Sequence, residues 1–276
     1  MTTQIDAEDL HRLIANGTVK VLDGSWALDG TDMRALHEQC HIPGAQFFDI
    51  EVVSDHSTEL PHMAPSPKQF AQAVGRLGIS EQDHVVIYDR QGLFSAARVW
   101  WTFHIMGHKS VQVLRGGLPA WKAAGLRIEG GVPVVAEVAY TPRPLAEKII
   151  GLKSLLGCSE RFLVLDARSR ARFEGTVPEP RAGLRSGHMP GSRSLPFGEL
   201  IRDGALKSVA ELREIFAGAG VGGNATVVTS CGSGVTAAIL SMALAETGHT
   251  SALLYDGSWA EWGQEGLGTP VATGAA

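Results

Sequence analysis

Apolar positions along this chain follow two rhythms, one helical and one strand-like, and the same succession of the two occurs twice. Leu10, Leu13 and Ile14 recur at helical spacing within residues 7–16 and predict a short helix with one apolar face. Residues 19–23 read as a buried strand that ends in an acid, Asp23. His41-Ile-Pro-Gly-Ala follows, then Phe47 and Phe48, and a polar loop covers residues 54–67. A helix is predicted over 67–78, a strand over 84–88, a helix over 95–106 and a strand over 111–114 that leads into Gly116, Gly117 and Trp121.

The second half repeats this order. Residues 162–166 match the first strand and its acid, and His188-Met-Pro-Gly-Ser matches the segment at His41. Residues 227–229 match 84–88, and 253–262 match 113–121, with Gly257 and Trp262 answering Gly116 and Trp121. Four anchors in one order imply an internal duplication. Strands alternating with helices predict an α/β fold of two tandem domains, each a mainly parallel sheet flanked by helices. Strands this apolar suit a sheet covered on both faces. Gly130-Gly131 and Thr141-Pro-Arg-Pro bracket the join. The expected division is a first domain over 1–130, a linker over 131–145 lying along a domain surface, and a second domain over 146–276. From Gly266 onward small residues dominate, and no fixed structure is expected there.

Composition narrows the function classes. At 276 residues there is length for two cores, and 44% hydrophobic with 19% charged residues is an ordinary globular balance. A net charge of −5 gives a nucleic-acid role no electrostatic support. No stretch reaches the roughly 18 unbroken apolar residues of a membrane span, and the first residues lack a secretory pattern. Three cysteines, Cys40, Cys158 and Cys231, without a Cys-x-x-Cys pair argue against a disulfide framework or a zinc site. A cytoplasmic setting and no metal are the resulting expectations.

One stretch carries candidate chemistry: Val227-Val-Thr-Ser-Cys-Gly-Ser-Gly-Val-Thr-Ala. A short strand meets Cys231, glycines 232 and 234 bracket Ser233, and a helical pattern starts at Thr236 and stops at Gly248. Strand, tight loop and helix turn successive N–H groups into one concavity, which favours an anion. A cysteine at its mouth is a candidate nucleophile, because the thiolate is the form such a site stabilises; a buried structural cysteine is the alternative. Cys40 and Cys158 have no such loop and are expected to be unreactive.

Cys-Gly-Ser-Gly-Val-Thr resembles the active-site loop of the 3-mercaptopyruvate sulfurtransferases of the rhodanese superfamily. Thiosulfate-using relatives carry basic residues where this chain has Gly232 and Ser233, and the arginine that ends the loop of related cysteine phosphatases is replaced here by Ala237 and Ala238. Asp89 aligns with Cys231, so the first domain is expected to keep the fold without the chemistry. The resemblance implies that Arg172, before Phe173, and Arg181, in Pro178-Glu-Pro-Arg, hold the donor. Arginine suits a carboxylate because its planar fork meets both oxygens. It also implies that Ser233 joins His62 and Glu51 in a relay, and that the N–H groups of Gly232, Gly234, Val235 and Thr236 cradle a Cys231 persulfide. The expected reaction takes sulfur from 3-mercaptopyruvate, releases pyruvate, and passes sulfur to cyanide, a thiol or a thioredoxin-like protein, with no cofactor. Thiosulfate:cyanide sulfurtransfer and a non-catalytic persulfide carrier are the alternatives. His41 and His188, Asp23 and Asp166 recur in both halves and are expected to brace the fold. Trp100, Trp101, Trp121, Trp259 and Trp262 are expected in cores, with Trp259 bordering the site.

Overall fold

The computed structural model describes residues 2–157, 161–223 and 226–275; Cys158 lies outside them. The chain divides into two compact units, each holding one copy of the same sheet. The first unit comprises Met1–Asp55, Ala64–Leu145 and Arg202–Leu206, and the second His56–Met63, Ala146–Ile201 and Lys207–Ala276.

In the first unit the elements run β1 (Gln4–Ile5), α1 (Ala7–Ala15), β2 (Lys20–Asp23), α2 (Met33–Gln39), β3 (Gln46–Phe47), α3 (Pro67–Arg76), β4 (Val85–Tyr88), α4 (Ala96–Ile105), β5 (Val111–Leu114) and α5 (Gly117–Ala123). The sheet order is β1-β5-β4-β2-β3 and every pairing is parallel. Val86 and Tyr88 pack with Leu10 of α1 and with Leu118 and Trp121 of α5. Ile87 points to the opposite face, where it and Val99 of α4 close over Gly24. Two covered faces are why β4 reads as an unbroken apolar run rather than an alternating one. α4 is buried along all but His104, as its apolar residues on every side require.

The second unit repeats the plan. It contains β6 (Ile149–Ile150), α6 (Leu152–Gly157), β7 (Phe162–Asp166), α7 (Arg170–Glu174), β8 (Arg193–Ser194), α8 (Val209–Gly218), β11 (Thr226–Ser230), α9 (Ala237–Glu246), β12 (Leu253–Tyr255) and α10 (Ser258–Trp262). Its order, β6-β12-β11-β7-β8, is the first order with each strand replaced by its copy, again all parallel. The duplication inferred from four anchor segments is thus a duplication of sheet topology. Between β8 and α8 the chain forms a hairpin, β9 (Ile201–Arg202) and β10 (Ala205–Leu206), through Asp203-Gly204, both with positive φ. That is the dipeptide a two-residue hairpin turn demands.

Local chemistry sets the ends of the helices. Ser66 and Gln69 form a reciprocal capping box ahead of α3, with Pro67 at the first position. Ser208 and Glu211 do the same for α8. Helix α2, which periodicity did not mark, is started by the Asp32 side chain accepting the Ala35 N–H. Residues 131–139 run along the first unit: Gly131 N–H donates to Glu38, Val138 N–H donates to Gly75, and Val135 covers Gly78, while Val134 stays 96% exposed.

The C-terminal stretch differs from expectation. His188 and Ala272 exchange backbone hydrogen bonds, Trp262 Nε1 donates to Pro270 O, and Arg185 donates to Thr269 O. These bonds fix the small-residue tail against the sheet's loops; composition alone could not show them.

Candidate active site

Strand β11 ends at Ser230, level with Asp166 of β7, and delivers Cys231 into the loop that precedes α9. Cys231 is 2% exposed. The start of α10 fixes the loop's polarity. Trp259 N–H donates to Cys231 O at 2.9 Å, Ala260 N–H to Gly232 O at 2.8 Å, and Cys231 N–H to Ser258 Oγ at 3.2 Å. With both carbonyls captured, the following N–H groups turn the other way. Those of Gly232, Ser233, Val235 and Thr236 have no acceptor among the described residues. Gly234 has φ +81°, a conformation in which a Cβ would be strained.

The equivalent loop of the first unit shows what such N–H groups attract. Asp89 follows β4 as Cys231 follows β11. Its carboxylate folds back and accepts N–H bonds from Gln91 at 2.9 Å, Phe94 at 2.7 Å and Ala96 at 2.9 Å. Full burial pushes this carboxyl above its ordinary pKa, against the pull of those three bonds. The first loop is therefore filled by a side chain of its own, a carboxyl group with no sulfur to transfer.

Ser233 is buried, and its Oγ lies 3.0 Å from His62 Nδ1; both residues belong to the second unit. His62 has φ +60° and Ser258 has φ +48°. Left-handed backbone at a non-glycine costs about 1–3 kcal/mol and persists where surroundings enforce it. Two of the three such residues among those described touch this loop. Glu51 lies in the first unit and accepts Trp26 Nε1–H at 2.7 Å.

The arginines of 166–174 do not act alike. Arg168 is fully buried, with Nε and Nη2 on Asp166, Nη1 on Glu179 at 2.8 Å, and its guanidinium 4.2 Å above the Trp259 ring. Burial lowers its pKa, but the Asp166 and Glu179 charges outweigh that and leave it raised. Arg172 places Nε 3.2 Å from Glu179 Oε1 and Nη2 2.5 Å from Oε2. Nη2 also lies 3.0 Å from the point where a Cβ on Gly232 would sit. Arg170 is an exposed partner of Glu199, and Arg181 is half-buried in the turn that follows Glu179. The structure thus brings Arg172 to the cysteine loop and Ser233 to His62. Arg168, Glu179 and Ser258 escaped sequence reasoning; Asp166-x-Arg168, an acid followed two residues later by an arginine, was the available signal.

The repeated residues brace both units. His41 Nδ1 and His188 Nδ1 each lie 2.8 Å from a carbonyl, of His37 and Phe173, and each ring stacks on that same residue. Asp23 holds the Ser25 N–H and His37 Nδ1, as Asp166 holds Arg168. Trp121, Trp259 and Trp262 are buried. Cys40 is a free thiol; partial burial raises its pKa, but the hydrogen bonds and charges of Arg90 and Lys122 together outweigh that and leave it lowered.

The rhodanese-like domain family matches residues 6–124 and again 151–265. The chain is 40% identical over 264 residues to the 3-mercaptopyruvate sulfurtransferase of Escherichia coli K12, covering 94% of each chain. It is 37% identical to the mitochondrial thiosulfate/3-mercaptopyruvate sulfurtransferase 1 of Arabidopsis thaliana, covering 94% of this chain and 75% of that one. The crystal structure of the 3-mercaptopyruvate sulfotransferase SseA from Escherichia coli superposes with a TM-score of 0.86 at 38% identity, covering 95% of this chain and all of that one. Two matched domains, a repeated parallel sheet and a cysteine loop at the end of the second copy's central strand converge: the chain belongs to the rhodanese family, among its two-domain 3-mercaptopyruvate sulfurtransferases.

Proposed function

We propose that the protein transfers sulfur from 3-mercaptopyruvate to a thiophilic acceptor through a persulfide on Cys231. The observation that carries this reading is the guanidinium of Arg172, held by Glu179 beside Gly232, one residue from Cys231. Arg172 and Arg181 seat the donor's carboxylate and keto oxygen. The Cys231 thiolate attacks the donor sulfur, a new S–S bond forms, and the C–S bond breaks with its electron pair passing to carbon as the pyruvate enolate. The proton that the donor thiol brought ends on that carbon by way of Ser233 or water, with His62 as the hydroxyl's partner. The outer sulfur then rests against the N–H groups of Gly232, Gly234, Val235 and Thr236. A second thiolate, from a small thiol or a thioredoxin-like protein, or cyanide, removes it and regenerates Cys231. No redox partner beyond the acceptor is needed. The setting is a reducing, cytoplasmic one, in keeping with the free thiols of Cys40 and Cys231, and no described helix is long and apolar enough to cross a membrane.

Thiosulfate is the second reading, favoured by its place in the name of the Arabidopsis relative. Against it stands the neutral Gly232-Ser233 pair, since a compact dianion wants cations there. The test is pyruvate release from 3-mercaptopyruvate, run beside thiosulfate, followed by mass analysis of Cys231. Pyruvate release with one added sulfur on Cys231, and neither in Cys231→Ser, is the expected result. Preference for thiosulfate would transfer the assignment to that donor. Sulfur on Cys231 without turnover of either free donor would make the protein a carrier.

A further inference from the structure

We infer that Glu179 is a positioning residue for donor selection, acting through Arg172. The inference rests on the reading of Arg172 as the donor-carboxylate site and assigns a role to a residue which that reading leaves out.

A guanidinium has two edges that can each meet a carboxylate with two parallel bonds. On Arg172 the Nε/Nη2 edge is occupied by Glu179, which meets it with both oxygens. The other edge, Nη1 with the outer N–H of Nη2, has no acceptor among the described residues, and the side chain is 23% exposed. One edge is anchored and the other is presented. Glu179 is also held from its far side: its Oε1 accepts Arg168 Nη1 at 2.8 Å. Arg168 in turn is fully buried on Asp166 and stacked over Trp259. The chain Asp166–Arg168–Glu179–Arg172 holds two positive and two negative charges, and only its last member reaches solvent. Trp259, beneath Arg168, also donates its N–H to Cys231 O. The anchor of Arg172 and the anchor of the cysteine loop therefore meet at one residue.

The Glu179 side chain is 1% exposed, so its carboxylate has no face open to a donor. Its effect on turnover passes through the direction of Arg172. Without the anchor, a long side chain at the site's edge samples many rotamers, and binding the carboxylate must order it again. The expected signature is a higher KM for a carboxylate-bearing donor, with the thiolate unaffected.

The experiment compares Glu179→Gln, Arg172→Lys and the double variant by steady-state pyruvate release, and times alkylation of Cys231 by iodoacetamide, a neutral reagent without a carboxylate. We expect each single variant to raise the KM for 3-mercaptopyruvate by about tenfold, the double variant to add little to either, and the alkylation rate to hold. A KM raised by Arg172→Lys but not by Glu179→Gln overturns the inference and leaves the reading of Arg172 standing. A KM raised by neither removes Arg172 from donor binding, and the inference goes with it. Alkylation slowed in step with turnover makes Glu179 a structural residue only, which also overturns it. Glu179→Asp keeps a charge beside Arg168 with a shorter reach toward Arg172, and gives the same split if the glutamine variant does not fold.

Discussion

The Nη2 atom of Arg172 lies 3.0 Å from the point at which a side chain on Gly232 would begin. A Cβ at 232 would crowd the guanidinium, which must then give by a few tenths of an ångström against its bonds to Glu179. Gly232→Ala is expected to raise the KM for 3-mercaptopyruvate by about two- to tenfold, a fraction of the roughly hundredfold cost of a misplacement of about 1 Å. Stability should change little, because the shift is small. Steady-state kinetics beside a thermal melt check both halves; an unchanged KM would show that Arg172 does not set donor affinity.

Ser233 Oγ and His62 Nδ1 form a buried pair at 3.0 Å. If the hydroxyl delivers the proton to the pyruvate enolate, Ser233→Ala and His62→Asn should each lower kcat by about 10²-fold. The double variant should lose hardly more than either single one, as groups acting in one relay do. Additive losses would separate the two residues.

Asp89 answers three N–H groups with one carboxylate. Asp89→Ala leaves those donors without an acceptor and is expected to destabilise the first unit by about 2–3 kcal/mol. Asp89→Asn retains an acceptor oxygen and should lose less. Urea unfolding orders the two; equal losses would mean that the bonds contribute little.

His108 lies 3.0 Å from both Tyr140 Oη, through Nδ1, and Asp83 O, through Nε2. Burial is the main cause that holds its imidazole pKa below the ordinary 6.5. The unfolded chain takes a proton near pH 6.5 that the folded chain refuses. Stability is therefore complete above that pH and declines as pH falls below it, until the folded imidazole is protonated as well. Melting temperatures from pH 8 to 5 should show this slope, and His108→Gln should flatten it. Parallel slopes in the two proteins would assign the decline to other groups.

Much of this was legible in the sequence because it rests on local rules. Apolar runs at 84–88 and 226–230, capping residues at Ser66 and Ser208, and the glycines around Ser233 each specify their own neighbourhood. What stayed hidden depends on partners distant in sequence. β1, β3, β6 and β8 are two-residue strands, too short for any period to register, and exist because a longer strand lies beside them. Helix α2 has His37 as its buried residue instead of an apolar stripe, so periodicity passed over it. The tail from 266 is poor in apolar residues and is tied by backbone groups and Arg185, which composition cannot show. Asp203-Gly204 did carry a hairpin signal, but without alternating strands long enough to flank it. Arginines at 168, 170, 172 and 181 look alike as letters; which is buried, exposed or aimed at the cysteine loop depends on where Glu179 and Glu199 fall.

The capture of the Cys231 and Gly232 carbonyls by Trp259 and Ala260 has a kinetic consequence. During sulfur transfer negative charge moves from the thiolate to the leaving carbon and then to the outer sulfur. In water, solvent dipoles must turn to follow it, and that turning is a large part of the barrier. Here the peptide planes that face the charge are already locked by bonds on their far side. They cannot rotate, and they do not need to. The loop acts as a solvent that was oriented when the chain folded, so its reorganisation was completed before any donor arrived.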